Sequence, residues 1–383
     1  MRTIYDYYPS MERIDTDIPK KIKSKLEEVK KMEITPAMVE ASLEKERLDE
    51  EDLYILLSDP ALDYLDSMGA RAKRERFKYF GNNVCLFSPL YIANYCANSC
   101  RYCGFRKDSD IVRAQLDEKE IKMEMEALAK TGIEDVLILT GEHEKSSSID
   151  YIARACEIAK GYFREIGLEI YPANVNDYKK LKNAGADFVT VFQETYNEDS
   201  YDYFHPFGHK RNIEYRMNTQ ERALLGGMRG VGFGALFGLA DPIEDGFCLG
   251  YHASLIQKKY PHAEIAISLP RIRPTHGADD KIRLNPVSDI KLFQILLAMR
   301  IYMPFASITI STRESSDFRK LAVEYGATKI SASVDTGIGH RSGASKDKGG
   351  DQFLINDTNS TEDVYKILKD LGMTPVFTDY INL

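Results

Sequence analysis

The sequence predicts an α/β protein, a (β/α)8 barrel of the TIM type preceded by a helical extension. Eight short, β-rich apolar runs alternate with amphipathic helical stretches, which is typical of consecutive βα units around a parallel sheet. Polar residues directly follow most of these runs, at the strand ends where parallel barrels carry their active sites. About 80 charged, helix-prone residues precede the first run. Together these observations favour a barrel with an N-terminal helical layer.

Residues 1–80 are predicted to form the helical extension. Apolar residues recur there at helical spacing, and a turn signal stands at Asp59-Pro60. The recurring residues are Leu53, Leu56, Leu57, Leu62 and Leu65. We expect this layer to lie outside the catalytic core.

The barrel is predicted over residues 81–340. Its candidate strands are residues 86–92, 135–139, 168–171, 188–192, 231–236, 264–269, 307–310 and 328–330. The clearest intervening helix begins at Asp117, which can form a capping box with Glu120. One face of that helix carries Ile121, Met125 and Leu128. A doubly wound sheet with extra strands is the alternative arrangement.

Residues 341–383 are predicted to form a C-terminal segment that packs on the barrel. Within it, the run 342–350 reads SGASKDKGG, a small and charged composition that is typical of a solvated, mobile loop. This loop is either a lid or a connector.

Composition and charge limit the classes of function. Lysine plus arginine total 51 and aspartate plus glutamate total 59, which gives a net charge of −8 and an isoelectric point near 5.6. An acidic chain lacks the general electrostatic footprint of nucleic-acid-binding proteins, so we expect a small-molecule substrate. No apolar run approaches the roughly 20 residues of a membrane span, and the polar, acidic start is unlike a targeting peptide. We therefore expect a cytoplasmic protein that binds neither nucleic acid nor membrane.

Three of the six cysteines crowd into eight positions after the first predicted strand. Cys96, Cys100 and Cys103 form a C-x3-C-x2-C pattern, which in a reducing compartment indicates a metal centre. A [4Fe-4S] cube needs four ligands, so three cysteines leave one iron open to a substrate or cofactor. The alternative is a zinc site with a distant fourth ligand, in a barrel that serves only as a binding scaffold.

Further candidate site residues follow the later strands. In a barrel, the C-terminal mouth would bring them together with the cysteines. They are Thr140-Gly141-Glu142 after the second strand, Gln193-Glu194-Thr195 after the fourth, Arg271 and Arg273 after the sixth, Thr312-Arg313-Glu314 after the seventh, and Ser331 and Ser333 after the eighth.

The cysteine pattern, with the aromatic Tyr102 before its last cysteine, resembles the hallmark of the radical S-adenosylmethionine enzymes. This resemblance implies a [4Fe-4S] cluster and S-adenosylmethionine as cofactors. It also implies that Tyr102 belongs to the cofactor site and that Gly141-Glu142 contacts the cofactor's amino group. Glu194 and Arg216 would hold its ribose and carboxylate. As structural alternatives, the two glutamates are solvated loop acids and Arg216 is a helix-surface cation.

Longer stretches are similar to the tyrosine lyase branch of this superfamily. They read SPLY, LYIANYCANSCRYCGF, VFQETYN, FGALFGLAD, ISLPRIRP and ITISTRES. The resemblance implies radical cleavage of the Cα–Cβ bond of L-tyrosine to 2-iminoacetate (dehydroglycine) and p-cresol. A bidentate guanidinium suits the substrate carboxylate, and Arg313 is the predicted clamp, with Ser331 as a second polar contact. Arg271 and Arg273 are rivals for the clamp or form structural ion pairs.

Cysteine positions separate two members of that branch. Hydrogenase maturases carry a C-terminal C-x2-C and a later cysteine for a second cluster, whereas this sequence has no cysteine after Cys248. The resemblance is therefore closer to the 2-iminoacetate synthases of thiamine biosynthesis, which implies thiazole synthase as a partner and reduced flavodoxin or ferredoxin as electron donor. The alternatives are a maturase-like tyrosine lyase without the second cluster and a tryptophan lyase. The segment TGIGHRSG departs from the G-G-Y-like loop of the family.

Overall fold

The structure, a computed structural model, describes residues 3–273, 282–343 and 349–378. Its strands are β1 (Asn83–Ala93), β2 (Asp135–Thr140), β3 (Glu165–Glu169), β4 (Phe188–Thr190), β5 (Gly230–Gly234), β6 (Glu264–Ser268), β7 (Ser307–Ile310), β8 (Lys329–Ser331) and β9 (Thr374–Val376). The first seven helices are α1 (Ile18–Val29), α2 (Pro36–Glu44), α3 (Glu50–Leu57), α4 (Leu65–Phe80), α5 (Glu118–Ala129), α6 (Ile149–Ala159) and α7 (Val175–Ala184). The others are α8 (Glu198–Phe204), α9 (Ile213–Met217), α10 (Thr219–Leu225), α11 (Pro242–Lys259), α12 (Asp289–Tyr302), α13 (Ser316–Tyr325) and α14 (Thr361–Asp370).

Eight parallel strands close into a barrel, as predicted. β2 to β8 pair in chain order, and β1 completes the ring by pairing with both β2 and β8. In register, Ser88 of β1 lies opposite Val136 of β2, while Leu86 lies opposite Ile330 of β8. Because the sheet closes on itself, the doubly wound alternative is wrong. The eight strands run in the same direction, so their C-terminal ends lie together at one mouth of the barrel.

The helical layer and the first helix of the barrel also follow the sequence. Asp117 and Glu120 form the predicted capping box at the start of α5, each carboxylate accepting from the other residue's backbone N–H. In the N-terminal layer, α3 and α4 pack against α12, and α1 packs against α11. Pro60 lies in a short 3-10 turn, Asp59–Tyr64, that separates α3 from α4. Among the described residues, no helix combines the length and the apolar character needed to cross a membrane.

The bounds of the eight barrel strands differ from the prediction by up to three residues, and a ninth strand was not predicted. β3 begins at Glu165, before the predicted start at residue 168, because an ion pair with Arg229 allows the Glu165 carboxylate to be buried. β9 was not predicted, since it is short and contains Pro375; it pairs with the first residues of β1. Residues 344–348 of the predicted loop 342–350 lie outside the described residues. The division into segments 1–80, 81–340 and 341–383 stays a prediction.

Candidate active site

The cysteine loop connects β1 to α5 and is closed by two residues at its ends. Asn94 Nδ2 donates to the Val112 carbonyl at 2.8 Å, and Asn94 Oδ1 accepts from the Ala114 N–H at 2.7 Å. The Arg113 guanidinium donates to the carbonyls of Asn94 and Phe105, at 2.7 and 2.9 Å. Both side chains are thus committed to backbone groups, which fixes the loop over the barrel mouth.

One cavity at the mouth, which we call the cysteine cavity, collects most of the predicted cofactor residues. The predicted residues among its lining are Cys96, Cys100, Cys103, Gly141, Glu142, Glu194 and Arg216. Three thiols that line a single cavity suit an iron-sulfur cluster with one open iron. Burial raises the pKa of all three thiols, that of Cys96 to about 11, so their thiolate forms need a cationic partner such as iron.

Two residues at the end of β2, Thr140 and Gly141, shape the cysteine cavity. A Cβ on Gly141 would lie 2.2 Å from the Tyr95 carbonyl oxygen, so only glycine lets the cysteine loop approach this strand end. The Thr140 hydroxyl lines the same cavity, is buried, and has no hydrogen-bond partner among the described residues. A buried hydroxyl of this kind is costly unless a bound group satisfies it. The donor set and the cavity therefore fit a cluster with a polar cofactor beside it.

Two carboxylates and two cations form a neutral group in the cysteine cavity. Lys210 Nζ lies 2.7 Å from Glu194 Oε1 and 3.5 Å from Glu142 Oε1. Arg216 Nη1 lies 2.9 Å from Glu142 Oε1. Burial by itself raises the pKa of Glu142, but Arg216 and Lys210 lower it overall, so the carboxylate stays ionised. Asn98, in the cysteine loop, donates to the other oxygen of Glu142 at 2.9 Å.

Tyr102 lies behind the cysteine loop and is not among the residues that line the cysteine cavity. Its ring packs edge-on against Phe204 and His205, and its hydroxyl is 2.9 Å from His205 Nε2. His205 Nδ1 faces the carbonyl of Tyr201, which can only accept, so Nε2 is free to accept from the Tyr102 hydroxyl. The Tyr102 side chain therefore packs beside Cys100 but does not line the cavity that collects the other predicted cofactor residues.

Arg313 and Ser331 meet in a second cavity inside the barrel, which we call the barrel cavity. The Arg313 guanidinium lies 3.4 Å from the centroid of the Phe353 ring. In the described ranges, no carboxylate pairs with it, and burial lowers its pKa. Ser331 is fixed beside it, because its hydroxyl oxygen accepts from the Thr312 N–H at 3.1 Å. A partly buried guanidinium without an anion is prepared for a carboxylate ligand.

The rival arginines, Arg271 and Arg273, form ion pairs within the protein. Arg271 Nε donates to Glu314 at 3.3 Å and Arg273 Nη2 donates to it at 2.8 Å. Arg271 also pairs with Asp289 at 2.7 Å. Since Glu314 is only 1% exposed, both arginines serve to neutralise a buried carboxylate. This leaves Arg313 as the better candidate for a substrate clamp.

Several residues of the site were not predicted from the sequence, and four of them carry groups that bear on its chemistry. Glu169, Tyr91 and Gln352 line both cavities and so form part of the wall between them. The Tyr91 hydroxyl donates to Gln352 Oε1 at 2.9 Å, and Gln352 Nε2 lies 3.8 Å from Cys103 Sγ. Burial raises the pKa of Glu169 to about 7. The fourth residue is Lys210, described above.

Comparison with known proteins agrees with this geometry. The model of the Radical SAM superfamily matches residues 90–244, and that of the Biotin and Thiamin Synthesis associated domain matches residues 268–374. The chain is 35% identical to a 2-iminoacetate synthase of Salmonella typhimurium over 347 residues, 90% of this chain and 91% of that protein. It belongs to the 2-iminoacetate synthase family of radical SAM enzymes. As a member of that superfamily, it uses a [4Fe-4S] cluster and S-adenosylmethionine.

Two further relatives of this family member cover nearly the whole chain. A 2-iminoacetate synthase of Escherichia coli strain K12 is 34% identical over 90% of this chain and 91% of its own length. The crystal structure of HydG, a maturase of the [FeFe]-hydrogenase, has a TM-score of 0.86 at 30% identity and covers 95% of this chain and 81% of that one. The barrel described above is therefore the fold of known radical SAM enzymes.

Proposed function

We propose that this radical SAM enzyme cleaves the Cα–Cβ bond of L-tyrosine to give 2-iminoacetate and p-cresol, with 5′-deoxyadenosine and methionine as cofactor products. Family membership supports the reaction. The observation that carries the substrate assignment is the Arg313 guanidinium, which faces the barrel cavity without a carboxylate partner in the part of the chain that the structure describes. That cavity adjoins the three cysteines across a shared wall.

An α-amino acid brings a carboxylate and an amine, and the barrel cavity offers a group for each. Arg313 would hold the carboxylate through two parallel hydrogen bonds, and Ser331 would add a third. Glu169 lies in the wall toward the cysteine cavity, where its carboxylate would receive the amine. The aromatic ring would occupy the apolar part of the barrel cavity. Its apolar lining includes Phe87, Pro89, Leu137, Leu139, Phe188, Phe192, Ala266 and Leu269.

The cofactors would be held on the other side of the shared wall. Cys96, Cys100 and Cys103 would bind the cluster, while Glu142 and its neighbours would orient S-adenosylmethionine. When bound, these groups would supply a 5′-deoxyadenosyl radical, the species needed to abstract a hydrogen atom from the substrate amine. The protein's own task is to place that amine against the wall and to keep water from the radical. Arg313 fixes one end of the substrate, and Glu169 orients the other.

The product and the partners follow from the same proposal. We propose that 2-iminoacetate is passed on to thiazole synthase in thiamine biosynthesis, and that reduced flavodoxin or ferredoxin supplies the electron. A reducing compartment, the cytoplasm, suits a chain whose six cysteines are all free thiols in the structure.

The test is an anaerobic incubation of the reconstituted protein with S-adenosylmethionine, a strong reductant and L-tyrosine. We expect p-cresol and 5′-deoxyadenosine to form together, and neither to form with the Cys103→Ala variant. A parallel incubation with L-tryptophan separates the related lyase activity. If 5′-deoxyadenosine forms with tyrosine but p-cresol does not, the substrate is wrong. If the purified protein is colourless and holds zinc without iron, the radical mechanism is wrong.

A further inference from the structure

Glu194 has a backbone conformation that is rare for its residue type. Its φ is +72°, in the left-handed region that side chains other than glycine, asparagine and aspartate seldom adopt. Such a conformation costs free energy and persists only where the surroundings hold it in place. The Glu194 carboxylate also forms an ion pair with Lys210 in the cysteine cavity. The structure must therefore contain groups that impose this conformation on a proposed cofactor residue.

Backbone hydrogen bonds hold the segment on its barrel side. The Gln193 N–H donates to the Gly234 carbonyl at 2.8 Å, and the Leu236 N–H donates to the Glu194 carbonyl at 2.7 Å. These contacts tie the segment to the end of β5. They do not fix the residues after Glu194, where the chain leaves the barrel toward α8.

Asp245, in the first turn of α11, holds those following residues. Its Oδ1 accepts from the Thr195 hydroxyl at 2.9 Å and from the Tyr196 N–H at 2.8 Å. Two turns later on the same helix, His252 Nδ1 lies 3.0 Å from the Tyr196 hydroxyl. Residues seven apart share a helix face, so α11 holds Tyr196 at both its backbone and its hydroxyl.

The burial of Asp245 indicates that a hydrogen-bond acceptor is needed at this position. The residue is 1% exposed, and its second oxygen, Oδ2, has no partner among the described residues. Burial raises its pKa to about 7, which reflects the cost of a carboxylate without a cation. An apolar residue would avoid this cost but would leave two buried donors without an acceptor.

We propose that Asp245 is a positioning residue for S-adenosylmethionine: by accepting from Thr195 and Tyr196, it keeps Glu194 in its left-handed conformation and its carboxylate in the cysteine cavity. The proposal rests on the cofactor role of Glu194 in the proposed function. Without the acceptor, the segment after Glu194 would relax, and the carboxylate would leave its place beside Lys210.

The test compares Asp245→Leu with Asp245→Asn in cluster-loaded protein, titrated anaerobically with S-adenosylmethionine in a calorimeter. Asparagine keeps an Oδ1 acceptor, so we expect its affinity to stay within about twofold of wild type, whereas leucine should weaken binding roughly tenfold. Iron content should not change in either variant. Glu244→Gln is the matched control, because Glu244 precedes Asp245 on α11 but pairs with Lys30, which directly follows α1. Its affinity should equal that of wild type.

Two further measurements keep the proposal open to refutation. Thr195→Val removes one of the two hydrogen bonds and should weaken cofactor binding about threefold; it decides the question if the leucine variant does not fold. A crystal structure of the cluster-free Asp245→Leu protein should show residue 194 at negative φ. The inference is overturned if Asp245→Leu and Thr195→Val both bind the cofactor as tightly as wild type. It is also overturned if Asp245→Asn loses as much affinity as Asp245→Leu. If wild type itself does not bind the cofactor, the proposed function fails instead.

Discussion

Replacing Arg313 with alanine is expected to remove tight tyrosine binding without weakening the fold. Its guanidinium faces the barrel cavity and contacts the Phe353 ring but, within the described ranges, no carboxylate. Losing one partner of a desolvated charge pair costs about 3 kcal/mol. This corresponds to roughly a 100-fold loss of tyrosine affinity. Because no carboxylate is left behind in the free protein, the free energy of unfolding should change by about 1 kcal/mol or less.

Two companion variants make this expectation specific. Arg313→Lys keeps the charge but loses the bidentate geometry, so its tyrosine affinity should fall roughly tenfold. Arg271→Ala is the matched control for stability, because it removes an ion-pair partner of the buried Glu314. That change should lower the free energy of unfolding by about 3 kcal/mol.

Affinity is measured by anaerobic calorimetry with L-tyrosine, and stability by urea unfolding. In Arg313→Ala we also expect S-adenosylmethionine cleavage to continue without p-cresol. The reasoning is refuted if Arg313→Ala binds tyrosine as tightly as wild type. It is equally refuted if the variant loses binding only together with a loss of stability as large as that of Arg271→Ala.

Three other predictions test the cysteine cavity and the wall. Cys100→Ala should lose its iron, about four per chain in wild type, whereas the core variant Cys156→Ala should keep it; equal iron contents would exclude this ligand set. Gly141→Ala should also lower iron retention, because its Cβ would lie 2.2 Å from the Tyr95 carbonyl oxygen; full retention would show that the loop adjusts freely. The pKa of Glu169 is raised to about 7 by burial, from an ordinary 4.5. The contribution of Glu169 to the free energy of unfolding is therefore fully present below about pH 4.5. As the pH rises through about 7, the free energy of unfolding should fall by about 3 kcal/mol. In Glu169→Gln, the free energy of unfolding measured with urea should not show this fall between pH 5 and pH 8. Parallel pH profiles for the variant and wild type would contradict the assignment.

Much of the fold could be predicted because the strands of a closed parallel barrel are apolar and their connections are amphipathic. The start of β3 escaped prediction because the burial of Glu165 depends on Arg229, which is distant in sequence. Pairing of β9 with β1 likewise depends on a contact between residues that are distant in sequence. Contacts of this kind leave no local pattern.

The candidate site divides in the same way. Cysteine spacing indicated Cys96, and strand-end position indicated Arg313 together with its rivals Arg271 and Arg273. The ion pairs of these two rivals with Glu314 became visible only in the folded chain. Glu169 was missed because the predicted third strand ran to residue 171, although the observed strand ends at Glu169 and makes it a strand-end residue. Lys210 lies in a long connection, and Gln352 returns to the cysteine loop from the C-terminal segment. Only the folded chain brings these last two residues to the site.

The most direct test of the central claim is to follow where the abstracted hydrogen comes from. Amine hydrogens exchange with solvent, whereas hydrogens on carbon do not, so the reaction with L-tyrosine is run anaerobically in D2O. Mass spectrometry of the 5′-deoxyadenosine then reports whether the abstracted hydrogen came from an exchangeable N–H or O–H group or from a carbon atom. Placement of the substrate amine against the wall between the two cavities predicts one deuterium in 5′-deoxyadenosine and p-cresol in equal amount. Unlabelled 5′-deoxyadenosine, or labelled 5′-deoxyadenosine without p-cresol, would contradict the account.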